Sequence, residues 1–167
     1  SRAEQLNTES LIAYYRKVEP GFIRVDADEV TYPFHVVLRY NIEKSLISGD
    51  LLVSDLPDAW NDAMRNLLDI VPPDDQRGCL QDIHWFSGSF GYFPTYTMGA
   101  VAAAQMYTAI QREYPDLREG VRTGDFSKIT EWCCQKIHRQ ASLESTSNIL
   151  INATGEPLNA RAFQRHI

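Results

Sequence analysis

The alternation of apolar and polar positions divides the chain into helix-length segments separated by glycine and proline. Residues 3–18 carry Leu11, Tyr14, Tyr15 and Val18 at helical spacing, and Pro20-Gly21 closes that segment. Phe22-Ile23-Arg24-Val25 is short and β-branched, and it reads as an extended link. A second helix is predicted over 28–48, with Phe34, Val37, Leu38, Ile42 and Leu46 as its apolar face and Gly49 at its end. Pro33 falls within its opening turns, where a missing N–H costs least. Ser54-Asp55 is placed as the cap of a third helix, with Pro57 in the first turn and Trp60, Met64 and Leu67 along one stripe. Residues 71–75 form a loop. A long helix is predicted over 92–114, with Met98, Val101, Gln105, Met106, Ala109 and Ile110 as its stripe and Pro115 as its stop. Gly99, Ala100, Ala102, Ala103 and Ala104 leave so little bulk that another helix could approach closely. Asp125 caps a further helix carrying Phe126, Ile129, Trp132, Cys133 and Ile137, and shorter helices are expected over 142–153 and 159–166. The expectation is a mainly α fold, one helical domain over 1–167 with short connections.

One stretch departs from this regular pattern. Residues 78–96 hold a polar run, Gln81-Asp82 with His84-Trp85, and then an aromatic run, Gly91-Tyr92-Phe93-Pro94-Thr95-Tyr96. Gly78, Gly88, Gly91 and Gly99 punctuate it. Glycine permits turns and close backbone approach that other residues resist, and such turns aim side chains. The residues alone leave two readings open: a buried turn with satisfied polar groups, or a site.

Composition narrows the partners. With 167 residues, the chain can bury a real core, and its apolar and charged contents, 44% and 23%, are ordinary for a soluble globular protein. A net charge of −6 argues against a nucleic-acid partner, which wants a basic face. No apolar run approaches the length of a membrane span. The three cysteines, Cys79, Cys133 and Cys134, are odd in number and unpatterned, which fits reduced thiols and a cytoplasmic setting. The four histidines, His35, His84, His138 and His166, include no pair at the three- or four-residue spacing of a helical zinc site.

The order GCLQDIHW followed by GSFGYFPTY resembles the GxxQDxHW and GYFPTY motifs of the thermostable (Taq-type) zinc carboxypeptidase family. Ile23-Arg24-Val25-Asp26-Ala27-Asp28 resembles the same family's IRxxAD motif, and Leu56-Pro57-Asp58-Ala59-Trp60-Asn61 and Ala153-Thr154-Gly155-Glu156-Pro157-Leu158-Asn159 are also similar to it. The family's HExxH helix, a further glutamate ligand, and its HPF and DxRxT motifs do not occur in this sequence. The resemblance therefore implies the C-terminal portion of a longer helical metallopeptidase with a substrate groove, cut at both ends. It implies zinc in the intact enzyme with no metal ligand in this chain, a peptide substrate and a homodimeric intact enzyme. The portion by itself is expected to be inactive.

The resemblance gives the residues of 78–96 and of the Arg24 segment candidate roles. Arg24 is the candidate for the substrate's terminal carboxylate, because the guanidinium fork matches two oxygens; the alternative is a surface arginine or a partner of Asp26 or Asp28. His84 is the candidate donor to a developing oxyanion, with Gln81 and Asp82 fixing its ring and tautomer; the alternative is a core histidine bonded to a carbonyl. Tyr92 and Tyr96 lie four apart, so a helix would show both on one face, and a phenol donates without bringing a full charge. The alternative for them is an aromatic core stripe, to which Phe90 and Phe93 are assigned. Tyr92 is the preferred catalytic tyrosine by resemblance, Tyr96 and Tyr32 are assigned to substrate binding, and Trp85 to packing.

Overall fold

The computed structural model describes residues 7–167, and every regular element among them is helical. The α-helices are α1 (Thr8–Tyr15), α2 (Tyr32–Ser48), α3 (Leu56–Leu68), α4 (Pro94–Glu113), α5 (Leu117–Thr123), α6 (Ser127–Lys136), α7 (Thr146–Thr154) and α8 (Arg161–His166). Residues 3–6 of the first expected helix lie outside the described residues. The chain groups into two compact units, with the division between Thr97 and Met98.

In the first unit α2 and α3 pack around Leu38, Ile42, Trp60, Met64, Leu68 and Cys79. Burying each large apolar side chain contributes about 1.5–3 kcal/mol, so this cluster holds the unit together. Helix α2 starts at Tyr32 rather than at residue 28. The Asp28 carboxylate accepts the N–H groups of Val30 and Thr31, each at 2.9 Å, and the Glu19 N–H at 3.0 Å, which closes a turn ahead of Pro33. The buried face of α2 also differs from the expected one. Phe34 and Val37 are 42% and 44% exposed, while His35, Val36, Leu38, Arg39, Ile42 and Glu43 are buried. His35, Arg39 and Glu43 recur every fourth residue, so one helical stripe turns three polar side chains inward. Gly49 ends α2 at φ +82°, as a C-terminal glycine does.

Two local expectations change. Residues 24–26 form a 3-10 turn instead of an extended link. Asp55 makes no side-chain cap on α3; a 3-10 turn, Val53–Asp55, leads straight into the helix, and the Asp55 carboxylate accepts the Ser54 hydroxyl at 3.0 Å. Helix α3 buries Trp60, Met64 and Leu68. Residues 78–93 follow as a run of turns. Gly78 sits close to its neighbours there: a Cβ at this position would stand 3.2 Å from the Asp74 carbonyl oxygen, a tight approach that glycine avoids.

The second unit is organised around Ile110, Leu117 and Trp132. The Trp132 indole N–H donates to the Glu113 carboxylate at 3.0 Å. Met98, expected on the inner stripe of α4, is 52% exposed, and among the described residues a Cβ at Gly99 would meet nothing within 4 Å. Helix α5 is an element the sequence pattern did not suggest, and Gly124 closes it at φ +82°. Asp125 accepts the Ser127 N–H at 2.9 Å at the start of α6. Buried Gln105 holds the segment after α7: its amide donates to the Thr154 hydroxyl and the Glu156 carbonyl, both at 3.0 Å, and its oxygen accepts the Asn159 N–H at 3.1 Å.

Candidate active-site cluster

The site lies in the first unit and is built around Asp82. Arg24 reaches it from the 3-10 turn, donating through Nε at 3.1 Å and Nη2 at 2.7 Å to Oδ1. Arg39 reaches it from α2, donating through Nε to Oδ2 at 2.6 Å. One carboxylate thus joins two guanidiniums separated by 15 residues in sequence, on charge-assisted bonds. Arg24 also donates from Nη1 to the Tyr32 hydroxyl at 2.7 Å. Gln81 locks the same turn: its oxygen accepts the Arg24 backbone N–H at 2.8 Å, and its amide donates to the Phe22 and Arg77 carbonyls at 3.0 and 2.9 Å.

Next to this cluster stands the histidine. His84 Nε2 lies 2.8 Å from the Tyr96 hydroxyl, and its Nδ1 is 3.8 Å from Asp82 Oδ1. A proton on Nδ1 faces that anion favourably, so Nε2 accepts from the Tyr96 O–H. The ring lies against Phe93 at a centroid distance of 4.4 Å and beside Tyr92 at 5.8 Å. Tyr96 in turn places its face 4.9 Å from the Arg24 guanidinium, a cation–π contact. Tyr92 is 49% exposed and meets Tyr96 edge-on at 5.4 Å. Its hydroxyl has no hydrogen-bond partner among the described residues, whereas the hydroxyls of Tyr32 and Tyr96 are taken by Arg24 and His84.

The structure therefore gathers Arg24, Tyr32, Gln81, Asp82, His84, Tyr92 and Tyr96 into one neighbourhood. Arg24 is only 5% exposed, and three of its five N–H groups are engaged by Asp82 and Tyr32. Three residues of the cluster escaped the sequence reading: His35, Arg39 and Glu43. Their signal was the four-residue polar spacing inside an otherwise apolar helix. Trp85, assigned to packing, does pack edge-on against Trp60 at 6.3 Å, and its indole N–H also donates to Glu43 at 2.8 Å.

The charges in the cluster shift one another. Burial pushes the Asp82 carboxyl up, but the hydrogen bonds and charges of Arg24 and Arg39 outweigh it and hold the group below its ordinary value. Burial pulls Arg39 down to about 10 even with Asp82 beside it. Burial acts against Arg24 as well, yet Asp82 and Tyr32 prevail at this shallower position and raise it. His35 is pulled down to about 4, by burial first and then by the charge of Arg39. It is a neutral ring at neutral pH.

This all-helical scaffold is shared with solved structures of metallocarboxypeptidases. The sequence profile of the Carboxypeptidase Taq (M32) metallopeptidase family matches residues 1–167, and the chain belongs to that family. It is 43% identical over 159 residues to thermostable carboxypeptidase 1 of Pyrococcus furiosus, covering 95% of this chain and 32% of that protein. It is 38% identical over 158 residues to carboxypeptidase 1 of Bacillus subtilis, covering 95% of this chain and 32% of that protein. A solved structure of Pyrococcus furiosus carboxypeptidase superposes with a TM-score of 0.94 at 42% identity, over 99% of this chain and 33% of that one. Trypanosoma cruzi metallocarboxypeptidase 1 superposes at 0.90 with 40% identity, over 96% of this chain and 34% of that one. The chain thus spans about a third of the length of the relatives it matches. The expected family and the all-helical fold are borne out. A metallopeptidase family implies a metal, but among the described residues no group of three or more His, Cys, Asp and Glu side chains is arranged to hold one. These residues do not fit a metal centre.

Proposed function

We propose that the intact protein is a zinc-dependent carboxypeptidase that removes single residues from peptide C-termini, and that this chain forms the substrate-facing part of its active site. The observation that carries the reading is the convergence of residues from separate family motifs, Arg24 from one and Asp82, His84, Tyr92 and Tyr96 from others, in one cluster joined by hydrogen bonds and ring contacts. The alternative, a non-catalytic helical interaction module, needs no polar cluster beside Gly91-Tyr92. The zinc would take its ligands from outside the described residues and supply an activated water.

In this reading Tyr92 is the oxyanion donor, because its hydroxyl is exposed and unengaged. His84 stands beside it and becomes a second donor in the tautomer that carries its proton on Nε2, when the Tyr96 hydroxyl turns to substrate. Arg24 keeps two N–H groups for the terminal carboxylate, and Tyr32, Gln81 and Asp82 fix its orientation. The same reading makes peptides the partners of the intact enzyme and places it in the cytoplasm as a homodimer, with this chain inactive by itself.

The test is release of the C-terminal residue from an N-blocked dipeptide by the intact enzyme, with and without chelator. Tyr92→Phe is expected to lower kcat by about 10²–10³-fold with little change in KM, the effect of losing one oxyanion donor. Chelator-insensitive turnover, or full activity in both Tyr92→Phe and His84→Asn, overturns the proposal.

A further inference from the structure

Glu43 occupies the third position of the inward polar stripe of α2 and is 8% exposed. One carboxylate oxygen accepts the Trp85 indole N–H at 2.8 Å, and the other accepts the backbone N–H of Gly91. Trp85 directly follows His84, and Gly91 directly precedes Tyr92. A single carboxylate on a helix therefore joins the two chain segments that present the histidine and the tyrosine. Between them, residues 86–90 form turns in which Phe86 and Phe90 face solvent and Gly88 adopts φ +72°. Gly91 itself sits at φ +77°, so the chain direction into Tyr92 is set at a residue with no side chain to anchor it. Among the described residues no lysine, arginine or histidine lies within ion-pair distance of Glu43. Its partners are two N–H donors, and a carboxylate is the side chain that accepts at both ends.

We infer that Glu43 is a positioning residue for the proposed peptidase reaction: a clip that sets the separation of His84 and Tyr92, now 5.8 Å between ring centroids with a 32° tilt, and so the direction in which the Tyr92 hydroxyl meets substrate. The inference rests on the carboxypeptidase reading. Glutamine at this position would offer one acceptor and one donor, and the donor would face an N–H. One of the two segments would then be released, and a shift of the hydroxyl by about 1 Å is enough to cost about 10²-fold in rate.

The experiment uses the intact enzyme and compares Glu43→Gln, Trp85→Phe, the double variant and His84→Asn. Active sites are counted by titration with a tight phosphinic dipeptide, a mimic of the tetrahedral intermediate. In Glu43→Gln, kcat per titrated site is expected to fall about ten- to hundredfold, with KM within about threefold. The phosphinic inhibitor should weaken by the same factor as kcat, while a product amino acid binds unchanged. Trp85→Phe removes one donor but keeps an aromatic ring, so it should move kcat in the same direction by less. The double variant should be no worse than Glu43→Gln, because the two groups share one contact. A merely structural role changes the number of titrated sites and leaves kcat per site and the inhibitor ratio as they were; that result overturns the inference. If Glu43→Gln does not fold, unchanged kcat per site in Trp85→Phe overturns it instead. Reduced activity in His84→Asn beside unaltered Glu43→Gln removes the clip and keeps the peptidase reading, whereas full activity in His84→Asn and Tyr92→Phe removes both.

Discussion

Replacing Asp82 by asparagine removes one negative charge from between two buried positive ones. The side chains of Arg24, Arg39 and Asp82 are 6%, 0% and 12% exposed, so water can do little to replace the lost partner. Each guanidinium interacts with the carboxylate at a charge separation near 4 Å, worth about 4 kcal/mol at an effective dielectric of about 20. The desolvation cost of the three groups offsets much of that in the native protein, but it stays behind when the carboxylate is gone. Removing one partner of a buried pair costs about 3–5 kcal/mol. The asparagine amide adds a donor facing a donor, and the Arg39 Nη2 is already buried without a partner. Asp82→Asn is therefore expected to destabilise by about 3–5 kcal/mol, a large share of a typical domain's about 5–15 kcal/mol. The control is Asp62→Asn. That residue pairs with Arg65 at the surface, with side chains 70% and 54% exposed. Loss of such a pair is expected to cost less than about 1 kcal/mol. Urea unfolding followed by tryptophan fluorescence suits the comparison, because Trp60 stacks beneath Arg39 at 4.6 Å. If Asp82→Asn and Asp62→Asn shift the midpoint equally, and by little, the cluster is not held by Asp82 and the reasoning fails.

Two further outcomes follow from the same region. His35 has a folded value of about 4 against an ordinary 6.5, so the unfolded chain binds a proton that the folded chain refuses. Its contribution is fully present above 6.5 and is lost as pH falls toward 4, amounting to up to about 3 kcal/mol; His35→Leu should flatten that window in urea titrations, and an unchanged slope would count against a neutral buried ring. Gly78→Ala places a Cβ 3.2 Å from the Asp74 carbonyl and 3.6 Å from the Asp75 Cα, both backbone neighbours. It should destabilise by about 1 kcal/mol or more, and a rise in the urea midpoint would refute the contact.

How much of this was legible in the chain depended on how local each determinant is. Helix α3 was readable because Trp60, Met64 and Leu67 repeat at the helical period, a repeat that needs no knowledge of the partner, although the structure buries Leu68 and covers Leu67 only in part. The end of α2 at Gly49 was equally local, since a left-handed residue there favours glycine. The candidate site was marked by the density of glycines and polar groups in residues 78–96, again a local property. The inner face of α2 was not readable. Periodicity counted Phe34 and Val37 as core, but a helix buries whichever stripe finds partners, and Arg39 and Glu43 find theirs at Asp82, Trp85 and Gly91, about forty residues away along the chain. The division of labour among Tyr32, Tyr92 and Tyr96 was hidden for the same reason. All three are phenols near the same motifs, and only the fold engages two hydroxyls, with Arg24 and His84, and leaves the third open. Spacing along a chain reports which residues share a face; which of them are neutralised, engaged or left free is decided by groups that meet only after the chain has folded.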